Sequence, residues 1–155
     1  MDAPAVGGGL PTDRSLFFQL VRVVNLTARP FVETLSRRHH LSLNAWRVMV
    51  VLASHPGVAA REVVDHTGLD KMSVSRAIAT LLRDGRVRRE ADPADARRAR
   101  LWLTDAGQAL YRTIGEGGRQ REQQLFAGIS DGERRQMQAT VEKMIAALTP
   151  PPSAR

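Results

Sequence analysis

The 155-residue chain contains no cysteine, so disulfides, cysteine-ligated zinc, thiol catalysis and thiol-based redox sensing are excluded. Lysine is almost as scarce: of the 23 Lys and Arg residues, all but Lys71 and Lys143 are arginine. Beside so many alanines this skew is what a GC-rich genome produces, so a preference for arginine carries no functional weight by itself. No stretch approaches the roughly 20 consecutive apolar residues of a membrane span. The opening MDAPAVGGGLPTD lacks a basic segment followed by an apolar run, which leads us to expect no secretory signal and a cytoplasmic protein. There is no Gly-x-Ser-x-Gly elbow, no Gly-rich phosphate loop and no His-Glu-x-x-His, so the sequence does not read as an enzyme and calls for no cofactor. His39, His40, His55 and His66 lack a paired-ligand spacing on one helix, which leaves a zinc site built from them with Asp or Glu as a remote alternative.

What is present is one domain's worth of ordinary globular sequence, 43% hydrophobic and 25% charged, a balance that argues against wholesale disorder. The net charge of +7 is unevenly placed. Between Lys71 and Arg100 stand nine cations (Lys71, Arg76, Arg83, Arg86, Arg88, Arg89, Arg97, Arg98, Arg100) against four anions (Asp84, Glu90, Asp92, Asp95). A fifth of the chain thus holds most of the excess. Such a field suits a polyanion, DNA, RNA or a lipid surface, or else is simply a solvated face.

The pattern along the chain is mostly helical, without internal repeats. Residues 1–12 and 149–155, rich in Gly and Pro, read as flexible tails. A first helix is expected over Arg14–Arg37, kinked or split at Pro30. Ser42 caps a second, which His55-Pro56-Gly57 stops. A short third, Ala60–Thr67, ends at Gly68; Asp70 caps a fourth, Lys71–Asp84, closed by Gly85. Two helices joined by Gly68-Leu69-Asp70 have the form of a helix-turn-helix. Val87–Ala91 and Ala99–Leu103 follow as a β-hairpin around Asp92-Pro93-Ala94-Asp95, with Leu101 and Leu103 on one side and Arg100 and Trp102 on the other. Thr104 caps a long helix to about Phe126, in which Gly115, Gly117 and Gly118 predict a bend or break. Ser130 and Glu133 fit a capping box for the last helix. Its stripe of Met137, Val141, Met144, Ile145 and Leu148 needs a cover. The fold class is therefore mostly α with a small β-hairpin wing: a winged helix-turn-helix over 42–104, with further helices at 13–40 and 105–148.

At about 100° per residue, Val74, Ala77, Ile78, Leu81 and Leu82 fall on one face of the fourth helix. Met72, Arg76, Ala79, Thr80 and Arg83 lie opposite, with Ser73 and Ser75 on the shoulders. A helix entering the major groove presents such an N-terminal end to base edges. Arg76 would grip guanine with two bonds, Ser73 and Ser75 would bond bases or phosphates, and Met72 would touch a thymine methyl. Thr80 lies further along the same face. Lys71, poorly placed for its own helix dipole, suits a phosphate. In the hairpin, Arg88, Arg89, Arg97 and Arg98 flank the tip, a form suited to the minor groove. Asp95 would be repelled by phosphate and would instead orient an arginine. The bland alternatives are a solvated helix face and an ordinary exposed hairpin.

Three segments resemble the MarR family of regulators. Leu41-Ser42-Leu43-Asn44-Ala45-Trp46-Arg47-Val48-Met49 is similar to the opening of the family's second helix, and Asp70-Lys71-Met72-Ser73-Val74-Ser75-Arg76 to its recognition helix. Asp92-Pro93-Ala94-Asp95-Ala96-Arg97-Arg98, continuing through Leu101-Trp102-Leu103-Thr104-Asp105-Ala106-Gly107, is similar to its wing and the helix entry beyond. The likeness spans about residues 14–148. It implies a homodimer through the terminal helices 13–40 and 105–148, double-stranded DNA as partner, and Arg97 as the wing arginine. It further implies repression relieved by a small aromatic or phenolic acid bound between the dimer helices and the DNA-binding lobe. By the same resemblance the pocket would draw on Arg22 for a carboxylate, Ser42 as hydroxyl donor, Trp46 and Met49 as walls, and His40 and His66 as polar neighbours. Plain core is the competing reading for Trp46 and Met49, and an ion pair for Arg22. Other classes remain open: an architectural DNA binder without sequence preference, or a winged helix used for protein contact.

Overall fold

The computed structural model describes residues 14–95 and 97–149. The expected tails at 1–12 and, beyond Thr149, at the C-terminus lie outside the described residues. The chain forms two compact units, with the boundary after Arg112.

Within the first unit, Ser15 caps α1 (Leu16–Pro30), its Oγ accepting from Phe18 N–H at 3.4 Å. The chain does not part at Pro30. It continues through one π-helical stretch, Phe31–Leu35, into α2 (Ser36–His39). Pro30 has no N–H to donate, and the ladder resumes in wider form, with Ser36 N–H donating to Phe31 O five residues back. α1 has no buried residue, whereas Phe31 is buried.

Ser42 caps α3 (Leu43–Ser54) by accepting from Ala45 N–H at 3.1 Å. A strand that the sequence reading did not anticipate follows, β1 (Val58–Ala59). Two residues are too few to show an alternating pattern. α4 (Ala60–Thr67) begins with no side-chain acceptor at Ala59, but Glu62 Oε2 reaches back to accept Ala59 N–H at 2.8 Å. Gly68, at φ +67°, closes it in the left-handed conformation that glycine adopts without a Cβ clash. Asp70 then caps α5 (Lys71–Arg83).

β2 (Val87–Ala91) and β3 (Ala99–Leu103) form the hairpin, and β1 adds to its far edge in the antiparallel order β1-β3-β2. Register pairs Val87 with Leu103 and Arg89 with Leu101. Leu101 and Leu103 are buried, as alternation predicts. They join Leu41, Val48, Met49, Leu52, Val63, Val74 and Leu81 in one core beneath α3, α4, α5 and the sheet. Each such side chain contributes about 1.5–3 kcal/mol when fully buried.

Thr104 Oγ1 accepts from Gly107 N–H at 3.1 Å and opens α6 (Asp105–Phe126). This helix runs unbroken through Gly115, Gly117 and Gly118, which removes the break from the expected bend or break. Glycine costs only about 1 kcal/mol per position relative to Ala, too little to interrupt a ladder of this length. In the second unit, the Ser130–Glu133 capping box forms as expected and starts α7 (Asp131–Leu148). No residue of α7 is buried. Among the described residues no helix is long and apolar enough to cross a membrane.

The corner between α5, β2 and α6 is tight. Thr104 N–H donates to Arg86 O at 3.1 Å and Thr104 Oγ1 to Gly85 O at 2.7 Å. A Cβ on Gly107 would overlap the Arg86 carbonyl oxygen. Gly107→Ala is therefore expected to destabilise by about 1–3 kcal/mol through overpacking. The check is a lower urea midpoint at unchanged slope; an unchanged midpoint would mean that the corner gives way freely.

Candidate nucleic-acid interface

The face that α5 shows to solvent follows from what it buries. Val74, Ala77, Ile78 and Leu81 are buried, which leaves Lys71, Met72, Ser75, Arg76 and Ala79 exposed and Ser73 and Thr80 half-exposed. Met72 is an apolar side chain left 66% exposed. Lys71 and Arg76 have no side-chain partner among the described residues.

Ser73 is engaged otherwise. Its Oγ donates to Asp70 Oδ2 at 2.6 Å while its N–H donates to Asp70 Oδ1 at 2.8 Å. The hydroxyl proton is committed to the cap, so only its oxygen lone pairs remain free for another partner. These two bonds, the hydroxyl's the larger, hold the Asp70 carboxyl below its ordinary value.

The hairpin separates its arginines by their partners. Arg88 faces Trp102 across the strands, its guanidinium 4.7 Å from the ring centroid, and also pairs with Glu90. Arg100 Nε pairs with Asp92 Oδ2 at 2.9 Å. Asp92 is held below the usual carboxylate range mainly by Ala94 N–H, donating at 2.8 Å, and then by Arg100. Asp95 Oδ1 accepts Arg97 N–H at 3.1 Å, and its Oδ2 pairs with Arg98 Nε at 3.5 Å. Arg89 and Arg97 are exposed, and neither side chain has a partner among the described residues.

The residues expected around an effector are only partly brought together. Trp46, half-buried on α3, stacks on Phe31 at 6.0 Å and on Tyr111 of α6 at 5.5 Å between ring centroids. Ser42 is at the same end of α3, and His40 just before it adopts a left-handed backbone at φ 49°. Arg22 is exposed on α1. Met49 is wholly buried, in keeping with the core alternative. His66 stacks on His55 at 4.3 Å at the opposite end of α3, about 18 Å from Ser42 along a helix of this length. Among the described residues no three His, Asp or Glu gather as metal ligands.

The sequence reading missed Phe31 and Tyr111 as partners of Trp46. Phe31 is one of many apolar residues in the first helical segment, and the hint for Tyr111 is its 3–4 spacing with Gly107 and Ile114 along one face of a helix. It also missed the role of Arg86, which was counted only as one more cation.

A capped helix after a tight turn, with a β-hairpin folded onto the same core, defines a winged helix-turn-helix protein. Residues 39–98 match the MarR family, and the relatives that the chain resembles over a longer span are transcriptional regulators. It is 28% identical over 102 residues to the transcriptional regulator HosA of Escherichia coli O111:H-, covering 66% of this chain and 76% of that one. It is 25% identical over 119 residues to the homoprotocatechuate degradative operon repressor of Escherichia coli, covering 77% and 80%. Its fold is shared with S. aureus MepR in the MepR–DNA complex, at TM-score 0.75 and 20% identity, over 88% of this chain and 99% of that chain.

Because the native Asp70 carboxyl is held low, its stabilisation is complete above the ordinary aspartate range and is lost as pH falls through the lowered value. Asp70→Ala should lower the thermal midpoint at neutral pH. The gap from wild type should close well below about pH 4, where both forms lack the charge. Melting curves across that range check this; a gap independent of pH would mean that the carboxylate does not act as the cap.

Proposed function

We propose that the chain is a dimeric, sequence-specific repressor that binds a pseudo-palindromic operator and is released by a small aromatic acid. The observation that carries this reading is the arrangement of unpaired cations. Arg76 and Lys71 on the open end of α5, with Arg89 and Arg97 on the wing, are uncommitted, while Arg83, Arg88, Arg98 and Arg100 each hold an acidic partner. In this reading Arg76 takes a guanine edge, with Ser75, Met72 and Thr80 beside it and the Ser73 oxygen as an acceptor. Lys71 and Arg89 neutralise phosphate, Arg97 enters the minor groove, and Arg88, Arg98 and Asp95 hold the wing in form.

The second copy is argued from apolar exposure. On α1, Leu16, Phe17, Val23, Val24 and Leu26 are exposed; on α7, Met137, Val141, Ile145 and Leu148 are, the last at 85%. Stripes of this size on a helical surface mark an interface, and the terminal helices at 13–40 and 105–148 are assigned to it. Two copies of α5 about 34–36 Å apart would then meet successive major grooves. For the effector, the Phe31–Trp46–Tyr111 stack offers an aromatic face. Ser42, His40 and Arg22 are the polar candidates around it; Met49 supports it from the core, and His66 has no part in it. The homoprotocatechuate operon repressor, by its name, governs breakdown of an aromatic acid, and MepR was solved on DNA.

The test is selection of fragments from a random DNA pool by the purified protein, then challenge of the complex with aromatic acids. A preferred operator at least about 10³-fold above random DNA supports a specific regulator, and uniform affinity an architectural binder. On that operator Arg76→Ala should cost about 1–3 kcal/mol and relax one base position; equal weakening on all sequences would assign Arg76 to phosphate. Removal of residues 130–155 should yield a monomer in sedimentation, and a truncated protein that stays dimeric would take α7 out of the interface.

A further inference from the structure

Arg86 is the cation whose surroundings differ most from those of its neighbours. It is half-buried at the junction between α5 and β2, while Arg88 and Arg89 on the strand are exposed. Its guanidinium turns away from the wing and donates from Nη2 to His39 O at 2.5 Å and from Nη1 to His40 O at 3.3 Å. These carbonyls end α2, where a helix leaves acceptors unpaired and carries its negative dipole end. The backbone of the same residue is held from the other side: its carbonyl accepts Thr104 N–H at 3.1 Å against the bare Cα of Gly107. One residue thus meets the end of the N-terminal helical segment, the end of α5, the root of the wing and the start of α6.

The aromatic stack joins the same parts by another route, running from Phe31 in the π-helical stretch through Trp46 of α3 to Tyr111 of α6. Movement of the N-terminal segment against α3 has two connections to the DNA-facing elements, one apolar and one polar. The polar connection ends directly on the residue between α5 and β2.

We propose that Arg86 is a positioning residue: its two charge-assisted bonds to the His39 and His40 carbonyls fix α5 and the wing relative to the N-terminal helical segment, and thereby set DNA affinity without touching DNA. The inference rests on the DNA-binding reading above. A phosphate contact is disfavoured because the half-buried guanidinium is turned toward the end of α2, where each terminal nitrogen donates to a carbonyl.

Three full-length proteins decide it: wild type, Arg86→Ala and Arg86→Lys. In the free protein, His40 and Leu41 N–H groups bond to Ser36 O, so loss of the latch should raise hydrogen exchange at these two amides about tenfold. Exchange in the middle of α3 should not change. On the operator selected by wild type, Arg86→Ala should bind about tenfold more weakly with an unchanged slope of log K against log salt. Arg86→Lys keeps the charge on a single donor nitrogen, which cannot span both carbonyls in the geometry of the guanidinium fork, and should fall between the two. The proposal is overturned if the salt slope drops by about one, which marks a phosphate contact. It is equally overturned if the exchange and affinity of Arg86→Lys and Arg86→Ala match wild type. Should Arg86→Ala fail to fold, the intermediate values of Arg86→Lys decide alone. A wild type that prefers no sequence would refute the DNA reading, whereas the exchange measurement on free protein tests the latch by itself.

Discussion

The packing of one side of α5 into the core is the constraint from which the outward arrangement follows. Val74, Ala77, Ile78 and Leu81 are held among α3, α4 and the sheet, and a helix so anchored has no freedom to rotate. Its opposite face is then fixed to within the tolerance of close-packed side chains. The Asp70 cap adds the start point, since its carboxylate holds the first turn through Ser73. Arg76 faces solvent as the consequence of apolar burial elsewhere on the same helix, and no interaction of its own is needed to hold it there.

Acidic residues perform a comparable selection on the wing. Exposed ion pairs contribute little to stability, a median of about 0–1 kcal/mol. Asp92, Asp95 and Glu90 are better understood as fixing geometry. Asp92 ties Arg100 and orders the turn through Ala94; Asp95 ties Arg98 and orders the backbone at Arg97. Only some of the basic residues that give the segment its charge remain available to a polyanion. A count of charges overstates the number of contacts such a segment can make.

The two connections between the N-terminal helical segment and the DNA-facing elements differ in physical character. The Phe31–Trp46–Tyr111 stack is largely apolar contact, and stacked rings remain favourable over a range of lateral offsets. The Arg86 bonds are directional, weaken steeply with misalignment, and end at backbone carbonyls that move as a helix end moves. The first keeps the parts together; the second distinguishes their relative positions.

Local chemistry in the sequence determined much of this protein. Ser42, Asp70 and Ser130 announce their helices because a cap needs only a side-chain oxygen and the next few N–H groups. The amphipathic division of α5 and the alternation of Leu101 and Leu103 are also local, since they need only helical or strand periodicity. The MarR resemblance rested on those same short segments. Tertiary structure alone decided what depends on residues distant in the chain. The strand β1 exists only because β3 lies beside it; two residues carry no period of their own. Pro30 did not split its helix, because the chain resumed hydrogen bonding in a wider turn. Met49 became core, and Trp46 became the middle of a stack, through neighbours in other elements. Arg86 was indistinguishable from Arg88 or Arg89 by charge. Its partners are backbone carbonyls nearly fifty residues away, and a carbonyl, present at every position, leaves no mark in a sequence.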